Sequence, residues 1–175
     1  RDKNVIEQRQ PGFHAVEVKL PIGDIEADQF FSLAEISRRY SRGRARTSFE
    51  QNIIFRWVRE EDLYPLWRAL VNAGLGDAGA REISSILSCP GTDSCKLGIT
   101  SSMGLGKELI KTIDEMNIDD PLIREMHIKM SGCPNSCGQH HLGNIGFHGG
   151  TLRAEGKMLP AYEVFLGGEY ENTGG

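Results

Sequence analysis

Residues 88–100 of this chain read Ser-Cys-Pro-Gly-Thr-Asp-Ser-Cys-Lys-Leu-Gly-Ile-Thr, and residues 130–141 read Met-Ser-Gly-Cys-Pro-Asn-Ser-Cys-Gly-Gln-His-His. Each stretch holds two of the four cysteines, and in each the first cysteine is followed directly by proline. The spacings are C-x5-C and C-x3-C. In an intracellular protein, cysteines more often serve metals or catalysis than disulfides. The candidate ligands are Cys89, Cys95, Cys133 and Cys137.

Four thiolates suffice to hold a [4Fe-4S] cluster. Pro90 and Pro134 predict that a helix begins at each motif, because proline is favoured at the first helical position. On such a helix the i and i+4 spacing of the second pair places both sulfurs on one face. Helix N-termini present free N–H groups and a positive dipole end, which favour an anionic cluster.

Other uses of the four cysteines stay open at this point. Structural zinc also takes four thiolates, although its knuckles usually have the shorter C-x2-C to C-x4-C spacing. Disulfides and inert buried thiols are further alternatives. Because two paired motifs are both marked by proline, the pattern favours an iron-sulfur cluster over these alternatives.

Composition and charge narrow the class of protein. The 175 residues are 39% hydrophobic and 25% charged, which is typical of a globular chain with one or two domains. A net charge of −4 gives no overall attraction to nucleic acid or to an anionic membrane. The sequence shows neither a spanning apolar segment, which needs roughly 20 residues, nor a secretion signal. We expect a soluble, cytoplasmic protein, and we expect a fragment because the chain stops at residues 173–175 just after a predicted strand.

The first part of the chain alternates strand and helix patterns. Val16, Val18 and Leu20 alternate with charged residues and predict a strand over 13–20. Apolar residues at helical spacing then predict a helix from 24–28 to Tyr40. Two strands over 44–49 and 52–58 and a helix over 62–74 follow, with Pro65 tolerable only in a first turn. This order matches most of a ferredoxin-like unit, with helices on one face of an antiparallel sheet.

A second unit follows the glycine-rich stretch at 74–79. We predict an α+β protein with a ferredoxin-like half-domain at 1–76 and a mixed α/β cofactor-binding domain at 77–175 that is C-terminally incomplete. The match of Gly74 to Gly79 with G-x-G-x-x-G does not indicate a dinucleotide site, because a helix precedes it instead of a strand. The predicted elements of the second unit are strands near 82–88, 126–130, 144–148 and 162–166 and a helix near 104–116.

The two cysteine motifs closely resemble the signature of the sirohaem nitrite and sulfite reductases. Residues 43–52, Gly-Arg-Ala-Arg-Thr-Ser-Phe-Glu-Gln-Asn, also resemble the second half-domain of that family, which typically reads G-x-x-R-x-T-x-x-Q-N. Ser48 replaces the usual threonine but keeps the hydroxyl. The resemblance covers nearly the whole chain and implies the C-terminal half of such an enzyme.

The resemblance also implies cofactors and their ligands. All four cysteines would bind a [4Fe-4S] cluster, and Cys137 would also be the axial ligand that bridges the cluster to the sirohaem iron, which makes it the catalytic residue. Arginine suits the carboxylates around sirohaem, so Arg46 and then Arg44 are candidates. Gln51 and Asn52 would lie beside the cofactor, or simply bridge strands. Asn135 would hydrogen-bond around the cluster, or favour the local turn.

Two further groups of residues carry weaker signals. The arginine run that also includes Arg38, Arg39 and Arg42 is usually a solvated helix end and loop. His140 and His141 are left unassigned, because histidines at such positions are more often surface or core residues.

The implied activity is the six-electron reduction of nitrite to ammonia or of sulfite to sulfide. The implied partners are a ferredoxin or flavoprotein electron donor, a small anionic substrate, and the first half of the same enzyme, which holds most of the substrate-binding basic residues. The alternatives are a non-catalytic iron-sulfur or zinc module and a dissimilatory sulfite reductase subunit. The latter is less favoured, because no extra ferredoxin insertion is present.

Overall fold

The computed structural model describes residues 3–168, which fall into two compact units that divide between Arg81 and Glu82. The first compact unit extends to residue 81, because residues 77–80 bond to it, and the domain boundary after residue 76 stays a prediction. The Asn4 side chain contacts the backbone of Asp77 and Gly79, and the Asn52 amide donates to the Ala80 carbonyl oxygen. Each unit is described by itself.

The first unit is a four-stranded antiparallel sheet in the order β1-β2-β4-β3 with two helices. The predicted order of strand, helix, strand, strand and helix is confirmed, and β3 and β4 form the expected antiparallel pair. The elements are β1 (Val5–Glu7), β2 (Phe13–Val18), α1 (Ala27–Tyr40), β3 (Ala45–Thr47), β4 (Ile53–Arg59) and α2 (Leu63–Asn72).

Alternation along β2 and helical spacing along α1 and α2 form one core. Val16 and Val18 lie on one face of the sheet, where Phe55 of β4 pairs with Val16 and is fully buried. Helix α1 buries Leu33 and Ile36 against this face, and α2 adds Leu66 and Leu70. The N-terminal lead-in, which carries no clear pattern, forms the short strand β1 against β2.

The second unit is a four-stranded sheet in the order β5-β6-β7-β8, in which the first three strands are parallel and β8 is antiparallel. Helix α3 packs Leu105, Leu109 and Ile113 against Ile128 and Met130 of the sheet. The elements are β5 (Leu87–Ser88), α3 (Ser102–Met116), α4 (Pro121–Arg124), β6 (Ile128–Ser131), β7 (Ile145–Ala154) and β8 (Lys157–Leu166).

Three strands of the second unit differ clearly in length from the prediction. Strand β5 has only two residues, Leu87 and Ser88, instead of spanning 82–88. Strands β7 and β8 are longer, because Glu155 and Gly156 adopt left-handed conformations and form a two-residue hairpin turn. The expectation that the chain is a fragment rests on residues 173–175, which lie outside the described residues. Between residues 3 and 168, no helix is long and apolar enough to cross a bilayer.

Candidate cysteine and cofactor site

The two cysteine motifs begin at the ends of neighbouring parallel strands. Cys89 directly follows β5, and Cys133 lies two residues after the end of β6. The carboxyl ends of parallel strands share one sheet edge, which is where open α/β sheets bind ligands. The topology therefore places both motifs at the same edge of the second unit.

Backbone hydrogen bonds hold the two motifs directly against each other. The Cys89 N–H donates to the Met130 carbonyl oxygen at 3.1 Å, and the Gly132 N–H donates to the Cys89 sulfur at 3.1 Å. The Gly132 carbonyl oxygen in turn accepts from the N–H groups of Ile99 and Thr100 at 2.8 and 3.1 Å. Gly132 thus links the second motif to both ends of the first.

Glycines make this close approach possible. A Cβ atom on Gly132 would lie 2.5 Å from the Cα of Gly91, and one on Gly98 would lie 2.6 Å from the Gly91 carbonyl carbon. A Cβ on Gly149 of β7 would lie 2.2 Å from the Thr100 hydroxyl oxygen and 2.3 Å from the Gly132 carbonyl oxygen. The two motifs and the neighbouring strand β7 are therefore packed backbone to backbone.

All four thiols are free, so the disulfide alternative is not formed. Cys89 and Cys133 are buried, with 9% and 8% of their surface exposed, whereas Cys95 and Cys137 are exposed. Within residues 3–168, no three His, Cys, Asp or Glu side chains are close enough together to hold a single metal ion. A four-iron cluster binds its cysteines through different iron atoms, so its thiolates need not meet at one point. Four free thiols on adjoining loops fit the donor chemistry of such a cluster.

The predicted helix N-termini at Cys89 and Cys133 are wrong. Pro90 leads only into a three-residue 3-10 turn, Gly91–Asp93, and residues 133–137 form turns in which Ser136 is left-handed. The local proline signal is overridden because Gly91, also left-handed, packs against Gly132 and cannot continue a helix. The electrostatic support expected from helix dipoles is replaced here by the Gly132 N–H bonded to the Cys89 sulfur.

Ser131, which sequence reasoning did not single out, supports the second motif together with His140, which it left unassigned. The Ser131 hydroxyl accepts from the Gly138 N–H at 3.0 Å and contacts His140 Nδ1 at 3.1 Å, which fixes the loop that carries Cys137. Burial, followed by the neighbouring His148 and His141, lowers the pKa of His140. His140 is therefore an uncharged core residue, whereas Asn135 is exposed in the turn.

In the first unit, Arg44 and Arg46 are exposed at the edge strand β3. Arg46 pairs with Ile54, so it lies on the face opposite the buried Phe55. Among the described residues, neither guanidinium has an ion-pair partner, whereas Arg38 pairs with Glu35 on its own helix. An open cleft of about 550 Å³ is lined by Gly43, Arg44, Ala45, Arg46, Arg56 and Trp57.

Gln51 and Asn52, the two candidate cofactor contacts of this loop, have different surroundings. Gln51 is left-handed and lies against Gly23. Asn52 is completely buried; its amide oxygen accepts from the Leu20 N–H at 2.9 Å, and its amide nitrogen donates to Glu17 at 3.0 Å. Because a third bond reaches the Ala80 carbonyl, both amide hydrogens are used inside the unit. This geometry favours the strand-bridging alternative for Asn52 over contact with a cofactor.

We expect Asn52→Ala to destabilise the protein by about 1–3 kcal/mol, because it leaves the buried Leu20 N–H without an acceptor and removes one donor from the buried Glu17 carboxylate, which keeps its contacts with Arg81 and Ser48. Urea unfolding measures this loss. Asn72→Ala, at the exposed last residue of α2, is the matched control and should cost much less. Equal losses in the two variants would contradict the structural role of Asn52.

Both units are similar in sequence to known proteins. Residues 6–73 match the family described as Nitrite/Sulfite reductase ferredoxin-like half domain. The ferredoxin–nitrite reductase of Synechococcus elongatus is 28% identical over 162 residues, which are 93% of this chain and 31% of that protein. The assimilatory-type sulfite reductase of Nitratidesulfovibrio vulgaris is 25% identical over 147 residues, 84% of this chain and 65% of that protein.

A solved structure shows the same fold. The NirA protein of Mycobacterium tuberculosis superposes with a TM-score of 0.76 at 25% identity, over 95% of this chain and 31% of that protein. The α+β fold with a ferredoxin-like half-domain is therefore confirmed. The chain spans about three tenths of the length of the ferredoxin–nitrite reductase and of the solved structure that it matches.

Proposed function

We propose that this chain, a homologue of the nitrite and sulfite reductases, is part of an oxidoreductase of that kind. Its residues 6–73 correspond to their ferredoxin-like half domain. The reaction is the six-electron reduction of nitrite to ammonia, with sulfite to sulfide as the second candidate because an assimilatory-type sulfite reductase is also related. The observation that carries the proposal is the pair of cysteine motifs joined through Gly132 at one sheet edge.

Cys89, Cys95, Cys133 and Cys137 are the proposed ligands of a [4Fe-4S] cluster, and Cys137 is the proposed ligand of the sirohaem iron. When bound, the cluster supplies single electrons and sirohaem supplies the iron at which the substrate is reduced. The low exposure of Cys89 and Cys133 keeps water away from two ligand sulfurs. The exposure of Cys137 leaves its sulfur accessible to a second metal.

Arg46 and Arg44 are the proposed ligands of sirohaem carboxylates. A guanidinium presents paired N–H donors that match a carboxylate, and neither side chain is engaged in an ion pair within residues 3–168. The cleft beside them, about 550 Å³ in volume, is open to such a ligand. Gln51 and Asn135 remain secondary candidates, and Asn52 contributes by holding the loop that carries Gln51.

The proposed electron donor is ferredoxin, because the ferredoxin–nitrite reductases among the relatives carry that donor in their names. A flavoprotein donor is the alternative. The further partner proposed is the first half of the same enzyme, which would supply most of the basic residues around an anionic substrate. The cytoplasmic location expected from the sequence stays a prediction.

Anaerobic purification of the holoprotein tests the function directly. Iron, acid-labile sulfide and an extractable tetrapyrrole are all expected, together with nitrite consumption driven by reduced ferredoxin. Iron and sulfide without a tetrapyrrole would indicate an electron-transfer module instead, and zinc alone would indicate a structural site. Either of these outcomes would contradict the proposed reductase.

A further inference from the structure

Tyr162 of β8 carries a buried hydroxyl that no hydrogen bond of ordinary geometry satisfies within residues 3–168; the polar group beside it is the Thr100 hydroxyl, which itself donates to the Gly132 carbonyl oxygen at 3.3 Å. Leaving a buried hydroxyl without a partner is costly, so an orphaned group of this kind calls for an explanation such as a missing ligand. The aromatic ring of Tyr162 is held by an edge-on contact with Phe147, with 6.3 Å between the ring centroids. The hydroxyl is therefore held in a fixed position.

The sheet register places this side chain beside the cysteine motifs. Tyr162 pairs directly with Gly149 across the β7–β8 hairpin, and paired residues present their side chains on the same face. A Cβ on Gly149 would point at the Thr100 hydroxyl and the Gly132 carbonyl oxygen. The Tyr162 side chain therefore lies on the face of the sheet that packs against these two groups of the cysteine motifs. Gly132 is the residue whose N–H donates to the Cys89 sulfur.

The electrostatics at the hydroxyl agree with this placement. Burial raises the pKa of Tyr162, hydrogen bonding to the nearby Thr100 hydroxyl, a contact too poorly aligned to satisfy the group, lowers it by less, and Cys89 and Asp93 raise it further. Tyr162 therefore keeps its proton at neutral pH and is available only as a hydrogen-bond donor or neutral acceptor. Such a donor favours an anionic acceptor, and a sulfur bound to iron is one.

We infer that, when the proposed cluster is bound, the Tyr162 hydroxyl donates a hydrogen bond to the sulfur of Cys89 or to the adjoining cluster sulfur. This inference rests on the proposed function. Hydrogen bonds to cluster sulfurs are one of the determinants of reduction potential, because they stabilise the more negative, reduced state. Tyr162 is thus a positioning residue that raises the potential of the cluster, and the Gly132 N–H already provides a parallel donor to Cys89.

Tyr162→Phe in the holoprotein tests this assignment, because phenylalanine keeps the ring contact with Phe147 and removes only the hydroxyl. The expected results are unchanged iron and sulfide content, a more negative midpoint potential in an EPR-monitored redox titration, and loss of one exchangeable-proton coupling to the reduced cluster. Tyr40→Phe, at a buried tyrosine in the core of the first unit, is the matched control and should change none of these.

Two outcomes overturn the inference, and they are distinguishable. If wild-type protein binds the cluster but Tyr162→Phe has the wild-type potential and proton couplings, the hydrogen bond is absent while the proposed function stands. If wild-type protein binds no cluster at all, the proposed function fails, and the assignment of Tyr162 fails with it.

Discussion

Cys95→Ser is expected to remove the iron-sulfur cluster from the holoprotein, with iron and acid-labile sulfide falling to background. A serine hydroxyl is not ionised near neutral pH, whereas a thiol with an ordinary pKa near 8.5 readily becomes the thiolate that binds iron. Cys95 is exposed, so the exchange removes one sulfur atom without opening a cavity in the core. The loss of iron would therefore report ligation and not unfolding.

Ser94→Ala is the matched control, because it changes the exposed neighbour of Cys95 by one oxygen atom. It should retain full iron and sulfide, and both variants should keep the far-UV circular dichroism of the wild type. A Cys95→Ser protein with a complete cluster would remove Cys95 from the ligand set and weaken the proposed function.

Gly149→Ala is expected to destabilise the protein by about 1–3 kcal/mol, the usual cost of forcing an extra methyl group into a packed interior. The new Cβ would lie 2.2 Å from the Thr100 hydroxyl oxygen and 2.3 Å from the Gly132 carbonyl oxygen. Because a backbone carbonyl cannot rotate away as a side chain does, the strand and the second cysteine motif have to separate. Cluster content should fall together with stability.

The adjacent glycine of the same strand provides the control. A Cβ on Gly150 would meet no atom within 4 Å, so Gly150→Ala should change the free energy of unfolding by only a few tenths of a kcal/mol. Urea unfolding and iron analysis of the two variants measure the difference. If the two alanines cost the same, the close packing of β7 on the cysteine motifs is refuted.

Local sequence signals predicted the first unit well. The alternation of Val16 and Val18 and the helical spacing that buries Leu33 and Leu66 reflect burial on one face, which a short window of sequence records. Strand β1 was missed because its partner lies on the far side of a turn, and its three residues are too few to show a period.

The cysteine site was only partly predictable. The paired motifs identified the thiols, but Pro90 and Pro134 predicted helices that do not form. Ser136 is left-handed in the second motif, and in the first motif a close contact holds the left-handed Gly91 against Gly132. That contact joins residues that are far apart in sequence, so no local pattern reveals it. The hairpin register that brings Tyr162 to this edge is equally invisible, because it depends on the turn at Glu155 and Gly156.

The joining of the two motifs through Gly132 also orders events during biosynthesis. A nascent chain that has emerged from the ribosome only as far as Met116 carries Cys89 and Cys95, but neither β6 nor Gly132 exists to bond to them. Under the proposed function, iron delivery has to wait until translation has passed Cys137 and the parallel strands have paired. Until then the early thiols are open to oxidation, so maturation of this protein should depend on a reducing environment.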